Sequence, residues 1–417
     1  MPGPADARII TPPALPLPQD LNSSPEHLEA FLCQLPSLDD PYPIYAALLH
    51  EFGPVLTAAS DRHYLLGYKA CETVLRSRGF ETAPRDGEQG PDMSFLRMNG
   101  DDHQRLRRVV GPMFTPRKIA RYALQCVNLV NDILDGLATD DPFDVIALIA
   151  EPVASFTLAE IVGIPYHMRP QFSDHLRRLG PALDGSVAMA DVADVMSIFP
   201  ALQDMISELQ TTKKGRGHGD LLDIVAEAVE AGAVRSDEAL PLCMLIAVSG
   251  VETTKNLVGN TLMSLTDRPA CLAAVLEEPQ LAAAAVDETL RYDPPVHWVL
   301  RICAAPTCVE GVNIDPGATV IALIPCAHRD NSVFVDAESY ILTRAHNASH
   351  LAFAAGLHHC IGGSLARIEA IAIVETILRR FATFEEASAP RRRSGAIVRG
   401  IDSWLVKCSP LSVRTDG

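Results

Sequence analysis

The stretch FAAGLHHCIGG, Phe353–Gly363, places two adjacent histidines and a cysteine between glycines. The residues that follow it, IGGSLARIEAIAIVETILRRF, carry apolar side chains at helical spacing, so we expect a helix to begin just after Cys360. Unpaired amides and the positive end of a helix dipole stabilise an anion, and this favours a thiolate at Cys360. Gly356 and Gly362 are expected to permit positive φ angles and to leave room for a flat ligand.

The local chemistry leaves three roles open for this cysteine. A buried structural cysteine is the common fate of such a residue. A zinc site with His358 and His359 is a weaker interpretation, because adjacent ligands rarely close a tetrahedron. A nucleophilic cysteine with a histidine base is the third possibility.

Composition limits the class of protein. The formal net charge of −17 disfavours general nucleic-acid binding, and 48% apolar residues can form a sizeable core. The most apolar run, LPLCMLIAV, is far shorter than the roughly 20 residues of a membrane span. No signal-peptide pattern opens the sequence, and the ten cysteines form no CxxC pair, so we expect a soluble, cytoplasmic protein with reduced thiols.

Helical periodicity dominates the middle of the chain, from about Pro116 to Phe381. Strand signals lie near both ends, in HYLLGY, ATVIALIPCAH and GAIVRGIDSWLVKC. The fold class predicted from this distribution is mainly α with a smaller β region (α+β). We expect a mobile, proline-rich arm over 1–20 and a single domain over 21–417.

The opening stretch and the helix after it resemble the haem-binding signature of the cytochrome P-450 family. The matching positions are Phe353, Gly356, His358, Cys360, Gly362, Leu365, Ala366, Arg367 and Glu369. The resemblance implies that Cys360 is the proximal thiolate ligand of the iron of haem b, a ligand that favours O–O cleavage. Phe353 would shield its sulfur. Ala354 departs from the pattern, which often has glycine there.

A second matching motif is ExxR, in the segment AAAAVDETLRYDPPV. Glu288 and Arg291 are three residues apart on a predicted helix, so they share a face. The resemblance implies a buried network with Arg344 that fixes the region presenting the cysteine loop. The segment AHRDNSVF resembles the family's NRDP stretch, with His328 and Asn331 in place of Asn and Pro.

The distal helix of the family is matched by LIAVSGVETTKNLVGN. The resemblance places the haem between this long helix and the helix of the cysteine loop. Gly250 would make room for dioxygen or bend the helix. Thr253 would hydrogen-bond oxygen or hold a water, and Glu252 would relay protons. Lys255 either acts as a counter-ion for Glu252 or faces solvent.

Basic residues match the family's contacts to the haem propionates. His103 and Arg107 lie four apart and match HxxxR, while Arg301 and His358 match two further contacts. Other basic residues nearby are expected to form a cationic patch that docks an acidic ferredoxin or a similar electron donor. These residues are Arg105, Arg108, Arg117 and Lys118.

The resemblance covers about Asp39 to Leu411 and implies haem-thiolate monooxygenation of a small hydrophobic substrate, with hydroxylation in bacterial specialised metabolism as the expected reaction. Two alternatives are a peroxide-driven peroxygenase, disfavoured by the retained Glu252 and Thr253, and a non-catalytic haem or ligand-binding protein.

The expected pocket lining is the loop 82–98, Ile246, Ser249, Val296–Val299, Ile397 and Val398. Trp298 and Arg97 either contact the substrate or serve packing and surface roles. The sequence assigns no role to His359.

Overall fold

Helices form most of the molecule. The computed structural model describes residues 17–18, 21, 24–59, 61–82, 94–137, 141–183, 192–212, 219–345, 350–395 and 397–410. The helices are α1 (Pro25–Gln34), α2 (Tyr42–Phe52), α3 (Tyr68–Arg76), α4 (Ser94–Arg97), α5 (Gly100–Val110), α6 (Pro116–Asp135), α7 (Glu151–Val162), α8 (Arg169–Leu183), α9 (Val192–Thr212), α10 (Leu221–Glu230), α11 (Ser236–Ser249), α12 (Val251–Thr266), α13 (Pro269–Glu277), α14 (Ala282–Tyr292), α15 (Ile324–Ala327) and α16 (Gly363–Arg380). The arm predicted over 1–20 lies almost wholly outside the described residues, and the single domain over 21–417 stays a prediction.

The strands form a smaller part of the molecule. They are β1 (Val55–Ala59), β2 (Arg62–Leu65), β3 (Phe80–Glu81), β4 (Phe143–Asp144), β5 (Trp298–Cys303), β6 (Thr307–Val309), β7 (Val312–Ile314), β8 (Thr319–Leu323), β9 (Phe381–Glu386), β10 (Arg391–Arg392), β11 (Ile401–Ser403) and β12 (Leu405–Pro410). The largest sheet has the order β1-β2-β8-β5-β3, in which β2 and β8 are parallel and the other pairs are antiparallel. Strands from early and late in the chain therefore share one sheet, as the sequence predicted.

In helix α6, apolar residues at helical spacing form one buried face. Pro116 occupies its first turn, where a missing amide hydrogen costs nothing, and a buried seam runs along the helix at three- and four-residue spacing. The seam consists of Ile119, Tyr122, Cys126, Val130 and Leu134. It packs α6 against α16, the helix that follows the cysteine loop. The prediction of a mainly α fold with a smaller β region is confirmed.

The expected long distal helix is two helices, because the chain bends at Gly250 between α11 and α12. Helix α12 packs against α16, α14 and α7, and most of its side chains are buried. Within the described ranges, no helix combines the length and the apolar character needed to span a membrane.

Candidate functional site

The cysteine loop is a tight turn that leads into α16. The amide of Cys360 donates to the carbonyl of Phe353 at 2.9 Å, and the amide of Gly363 donates to the carbonyl of Cys360 at 3.3 Å. The Phe353 ring lies over the start of α16, since a Cβ on Gly363 would stand 3.0 Å from it. This arrangement puts Phe353 beside the turn that presents the cysteine sulfur.

Cys360 is exposed, whereas most other cysteines of the chain are buried or half-buried. Burial nevertheless raises the pKa of its thiol, because the sulfur lies in a cleft surrounded by protein. The amides of Gly362 and Gly363 and the Arg107 guanidinium act in the opposite direction. The amides predicted from the sequence are present and lower the pKa, but desolvation of the sulfur is the larger effect when no metal is bound. A bound metal cation would reverse this balance, since a coordinating thiol is deprotonated.

Two glycines of the loop have different roles. Gly356 has a φ of 72°, and a Cβ there would lie 2.5 Å from the carbonyl oxygen of Leu75. Gly362 has a φ of −85°, so it does not use the positive φ that glycine permits. Its nearest neighbour is the ring of Phe114, 4.0 Å from a virtual Cβ, so the space beside it is open. Ala354, where the family pattern often has glycine, has a φ of 56°.

Four basic residues from three parts of the chain converge beside this loop. His103 of α5 is buried, with its ring centroid 4.2 Å from that of His358. The Phe95 ring stacks on the other side of His103 at 4.9 Å. Burial lowers the pKa of Arg301 to about 10. Burial, assisted by His103, Arg301 and Arg107, lowers the pKa of His358 to about 4.

This cationic cluster has no carboxylate partner within the part of the chain that the structure describes. Arg301 is 5% exposed, and its guanidinium donates to the carbonyl of Leu300 at 2.7 Å. Burial lowers the pKa of Arg107, and the group that acts in the opposite direction is Cys360 in its thiolate form. A pocket of about 130 Å³ opens beside Arg301 and His358. Buried cations need anionic partners, and the two propionates of a haem fit this need.

A zinc site is the second role that the local chemistry left open for Cys360. Over the described ranges, no group of three or more His, Cys, Asp and Glu side chains is placed to hold a metal ion. A haem needs one axial protein ligand, and Cys360 supplies a sulfur of the required kind. The residues present therefore fit a haem.

The helix pair α11–α12 turns three small or polar residues toward open space. Ser249 is exposed, and Gly250 and Thr253 are half-buried, although the flanking residues of both helices are buried. The Thr253 hydroxyl donates to the carbonyl of Ser249 at 3.4 Å. A Cβ on Gly250 would stand 3.4 Å from Leu158, an ordinary contact, so no close neighbour demands glycine there. The bend is the feature that Gly250 contributes.

Glu252 does not share this open face. It is buried, and its carboxylate accepts hydrogen bonds from Arg393 and from Asn256. The ammonium of Lys255 lies 3.1 Å from the same carboxylate and 3.3 Å from Glu151. Lys255 is therefore a counter-ion of Glu252 and does not face solvent. Glu252 and Thr253 are neighbours in sequence but lie on different sides of the helix.

The ExxR residues form a buried network. The Arg291 guanidinium donates to Glu288 at 2.7 and 3.0 Å, and Arg344 donates to the same carboxylate at 3.1 and 3.2 Å. The amide of Ile341 adds a further bond at 2.8 Å. Glu288 and Arg291 are fully buried, so each charge depends on the others.

The predicted cationic patch is only partly present. Arg105 turns inward to the buried carboxylate of Glu238, at 2.6 Å, and to Asp102, at 3.0 Å. Lys118 donates to the carbonyl of Gly219 at 3.0 Å. Carboxylates of this chain therefore neutralise Arg105, whereas Lys118 keeps its positive charge beside a neutral carbonyl, and the docking role of the patch stays a prediction. Arg108 and Arg117 remain exposed.

The predicted pocket walls come together in part. The amide of His297 donates to the carbonyl of Ile397 at 2.8 Å, and Val296 forms a bridge with Val398. These two segments therefore form one continuous wall. Trp298 packs edge-on against Tyr64 at 6.2 Å, which assigns it to the N-terminal core and not to the substrate. Residues 83–93 of the predicted loop lie outside the described residues.

The sequence analysis missed two buried groups near the site. Arg393 reaches Glu252 from a segment 141 residues away, and it also donates to the carbonyl of Gly180 at 3.0 Å. Glu369, noted only as part of the signature, is buried, and burial raises the pKa of its carboxyl to about 8. A nearby hydroxyl of Thr157 acts in the opposite direction. No local pattern identifies the partner of Arg393.

Comparisons with known proteins agree with these features. The sequence model of the family described as Cytochrome P450 matches residues 170–400. The chain is 31% identical to cytochrome P450 107B1 of Saccharopolyspora erythraea over 87% of this chain and 89% of that protein. It is 29% identical to the biotin biosynthesis cytochrome P450 of Bacillus subtilis over 82% of this chain and 89% of that protein. The solved structure of P450BioI in complex with hexadec-9Z-enoic acid ligated acyl carrier protein has a TM-score of 0.81 at 28% identity, over 91% of this chain and 100% of that one.

Proposed function

This chain belongs to the cytochrome P450 family, and from that premise we propose that it is a haem b monooxygenase that hydroxylates a small hydrophobic substrate in a tailoring step of bacterial specialised metabolism. Membership makes it a monooxygenase that uses haem iron, dioxygen and a redox partner. The observation that carries the proposal is Cys360, at the turn before α16, beside a cluster of basic residues without a carboxylate partner in the described ranges.

Cys360 would hold the iron, and the cationic cluster would hold the propionates. Arg107 and Arg301 offer guanidinium donors, whereas His103 and His358 are neutral at pH 7 because burial lowers their pKa values. When bound, the haem supplies the activation of dioxygen, and electron donation from its thiolate ligand favours O–O cleavage. Phe353, whose ring lies over the start of α16, would shield the sulfur.

Proton delivery would be divided between two neighbouring residues. The Thr253 hydroxyl lies on the open face and can hold a water or donate a hydrogen bond. Glu252 carries the acidic group, but Arg393 and Lys255 bind its carboxylate. A proton relay through Glu252 therefore requires its side chain to leave at least one of these cations.

The proposed substrate class rests on the expected pocket lining. Val296 forms a bridge with Val398, next to Ile397, and Ile246 and Ser249 lie in α11. A mainly apolar lining with one hydroxyl accepts a hydrophobic molecule with few polar groups. The relatives are named for biotin biosynthesis and for a monooxygenase, PikC, which supports a biosynthetic role.

Electrons are proposed to come from a ferredoxin bound on the face of the cysteine loop. Arg108 and Arg117 flank the segment that carries Phe114, whose ring lies beside Gly362. Two exposed guanidinium groups next to the ligand loop can attract an acidic protein. Lys118 can add a third positive charge to this surface, whereas Arg105 is paired with Glu238 and Asp102.

The decisive test is the spectrum of the reduced protein with carbon monoxide. Wild type should show the red-shifted Soret band of thiolate ligation, and C360H should lose it. C308H replaces an exposed cysteine in β6 and should keep the band. An imidazole-type band in wild type would contradict the assignment of Cys360.

Substrate-dependent consumption of NAD(P)H with a surrogate ferredoxin and reductase then tests monooxygenation. We expect product with this electron supply and little with peroxide alone. Product formed only with peroxide would identify a peroxygenase, and no product under either condition would favour a binding protein.

A further inference from the structure

His328 is a fully buried histidine that the proposed chemistry does not use. It follows α15 directly, and its ring lies between α14 and the segment that leads into the cysteine loop. The Phe334 ring packs edge-on against it at 5.9 Å, and the His350 ring lies 6.3 Å away. A buried imidazole must satisfy both ring nitrogens or incur a desolvation cost.

Both ring nitrogens of His328 are hydrogen-bonded. The amide of Leu351 donates to Nε2 at 2.7 Å, so Nε2 carries no proton. The proton is therefore on Nδ1, which donates to the carbonyl of Arg291 at 2.8 Å. One neutral tautomer satisfies both partners at once. Arg291 in turn donates to the carbonyl of His328 at 3.1 Å, so the two residues bind each other in both directions.

The contacts continue from Leu351 to the cysteine. The carbonyl of Leu351 accepts a hydrogen bond from the amide of Ala354 at 2.8 Å, and this bond fixes the turn that contains Phe353. The carbonyl of Phe353 accepts from the amide of Cys360 at 2.9 Å. We propose that neutral His328 is a positioning residue that couples the buried ExxR network to the cysteine loop and thereby sets the orientation of the Cys360 sulfur.

The charges around His328 keep it neutral. Burial, His350, Arg291 and Arg329 all lower its pKa, and the carbonyl of Arg291 is the group that acts in the opposite direction. A proton on Nε2 would face the Leu351 amide and remove its hydrogen bond. The tautomer therefore depends on the surroundings that the fold provides.

Two amide substitutions separate the two ring nitrogens. In H328N the amide reaches about as far as Nδ1, so it keeps the partner on α14 and leaves the Leu351 amide without an acceptor. In H328Q the longer side chain reaches the position of Nε2 and can accept from Leu351. H63N is the control, because His63 is also buried but lies in β2, where its Nδ1 contacts Thr57.

Hydrogen exchange in the haem-loaded protein gives the readout, measured on the peptide that contains Leu351. We expect exchange to rise at least roughly tenfold in H328N, as for loss of a buried hydrogen bond. It should stay near the wild-type rate in H328Q and in H63N. The fraction of protein that shows the red-shifted carbon monoxide band should fall in H328N and recover in H328Q.

Equal exchange in all variants, or an equal rise in H328N and H328Q, would overturn the proposal. If H328N does not fold, H328A replaces it, since it also leaves the Leu351 amide without an acceptor: faster exchange at Leu351 in H328A than in H328Q supports the coupling, and equal exchange in the two refutes it. The spectroscopic arm rests on the proposed haem ligation, but the exchange arm does not. A wild type without the thiolate band would therefore refute the proposed function and leave the exchange result to test His328.

Discussion

Replacing Ala354 with glycine should stabilise the protein relative to the same change one residue later. Ala354 has a φ of 56°, in the left-handed region, whereas Ala355 has a φ of −150°, which any residue adopts. A left-handed conformation costs an L-residue about 1–2 kcal/mol because its Cβ approaches the following carbonyl. Glycine has no Cβ, so A354G removes this strain and A355G has none to remove.

Two other effects are shared by the variants. Glycine adds about 0.4–1 kcal/mol of unfolded-state entropy, and losing a fully buried methyl group costs about 0.8 kcal/mol. Ala355 is buried and Ala354 is half-buried, so the methyl loss is larger for A355G. The free energy of unfolding of A354G should therefore exceed that of A355G by at least the backbone strain, which is about 1–2 kcal/mol.

Urea unfolding of both haem-loaded variants, followed by far-UV circular dichroism, measures this difference. A354G should unfold at or slightly above the wild-type midpoint, and A355G should unfold below it. Equal losses of stability in the two variants would refute the reasoning, because they would show that Ala354 carries no backbone strain.

Two further predictions concern buried carboxylates. E288Q should lower the free energy of unfolding by about 3–5 kcal/mol, because Arg291 and Arg344 would lose their shared anion; E375Q, at an exposed ion pair, should cost less than about 1 kcal/mol. A loss for E288Q as small as that of E375Q in thermal unfolding would contradict the first prediction. Burial raises the pKa of Glu369 to about 8, so the folded state holds a proton that the unfolded state releases near its ordinary pKa. Stability should therefore fall as pH rises through this window, by about 2 kcal/mol between pH 6 and 7.5, and E369Q should abolish that part of the dependence; parallel pH curves for E369Q and wild type would contradict it.

The sequence predicts most reliably the contacts between residues that are close together in the chain. Glu288 and Arg291 are three residues apart, so any helix places them on one face, and the turn between Phe353 and Gly363 needs only local hydrogen bonds. The family resemblance added Arg344, which no spacing rule connects to Glu288. It also grouped His103 with His358, whose rings the fold brings to 4.2 Å.

Side chains that cross long sequence distances were not predictable in the same way. Arg105 lies in a run of basic residues that reads as a solvated face, yet the chain supplies Glu238, 133 residues later, as a buried partner. Arg393 binds Glu252 across 141 residues. A long flexible side chain binds whichever opposite charge the fold leaves nearby, and this depends on tertiary packing that periodicity does not report.

The protonation of Cys360 shows why a local argument can also give the wrong sign. The helix end and its amides lower the pKa of the thiol, as the sequence indicates, but desolvation raises it by more. Desolvation depends on everything packed around the sulfur, and no residue next to Cys360 encodes it.

The same burial explains the cationic cluster: a chain with a net charge of −17 leaves Arg301 without a carboxylate in the described ranges, at the place where an anionic group would bind. Since a thiolate and a guanidinium are both destabilised by desolvation when they have no partner, a ligand that brings a metal cation to one and carboxylates to the other satisfies both. The two departures from ordinary pKa values are therefore what the proposed haem site would produce.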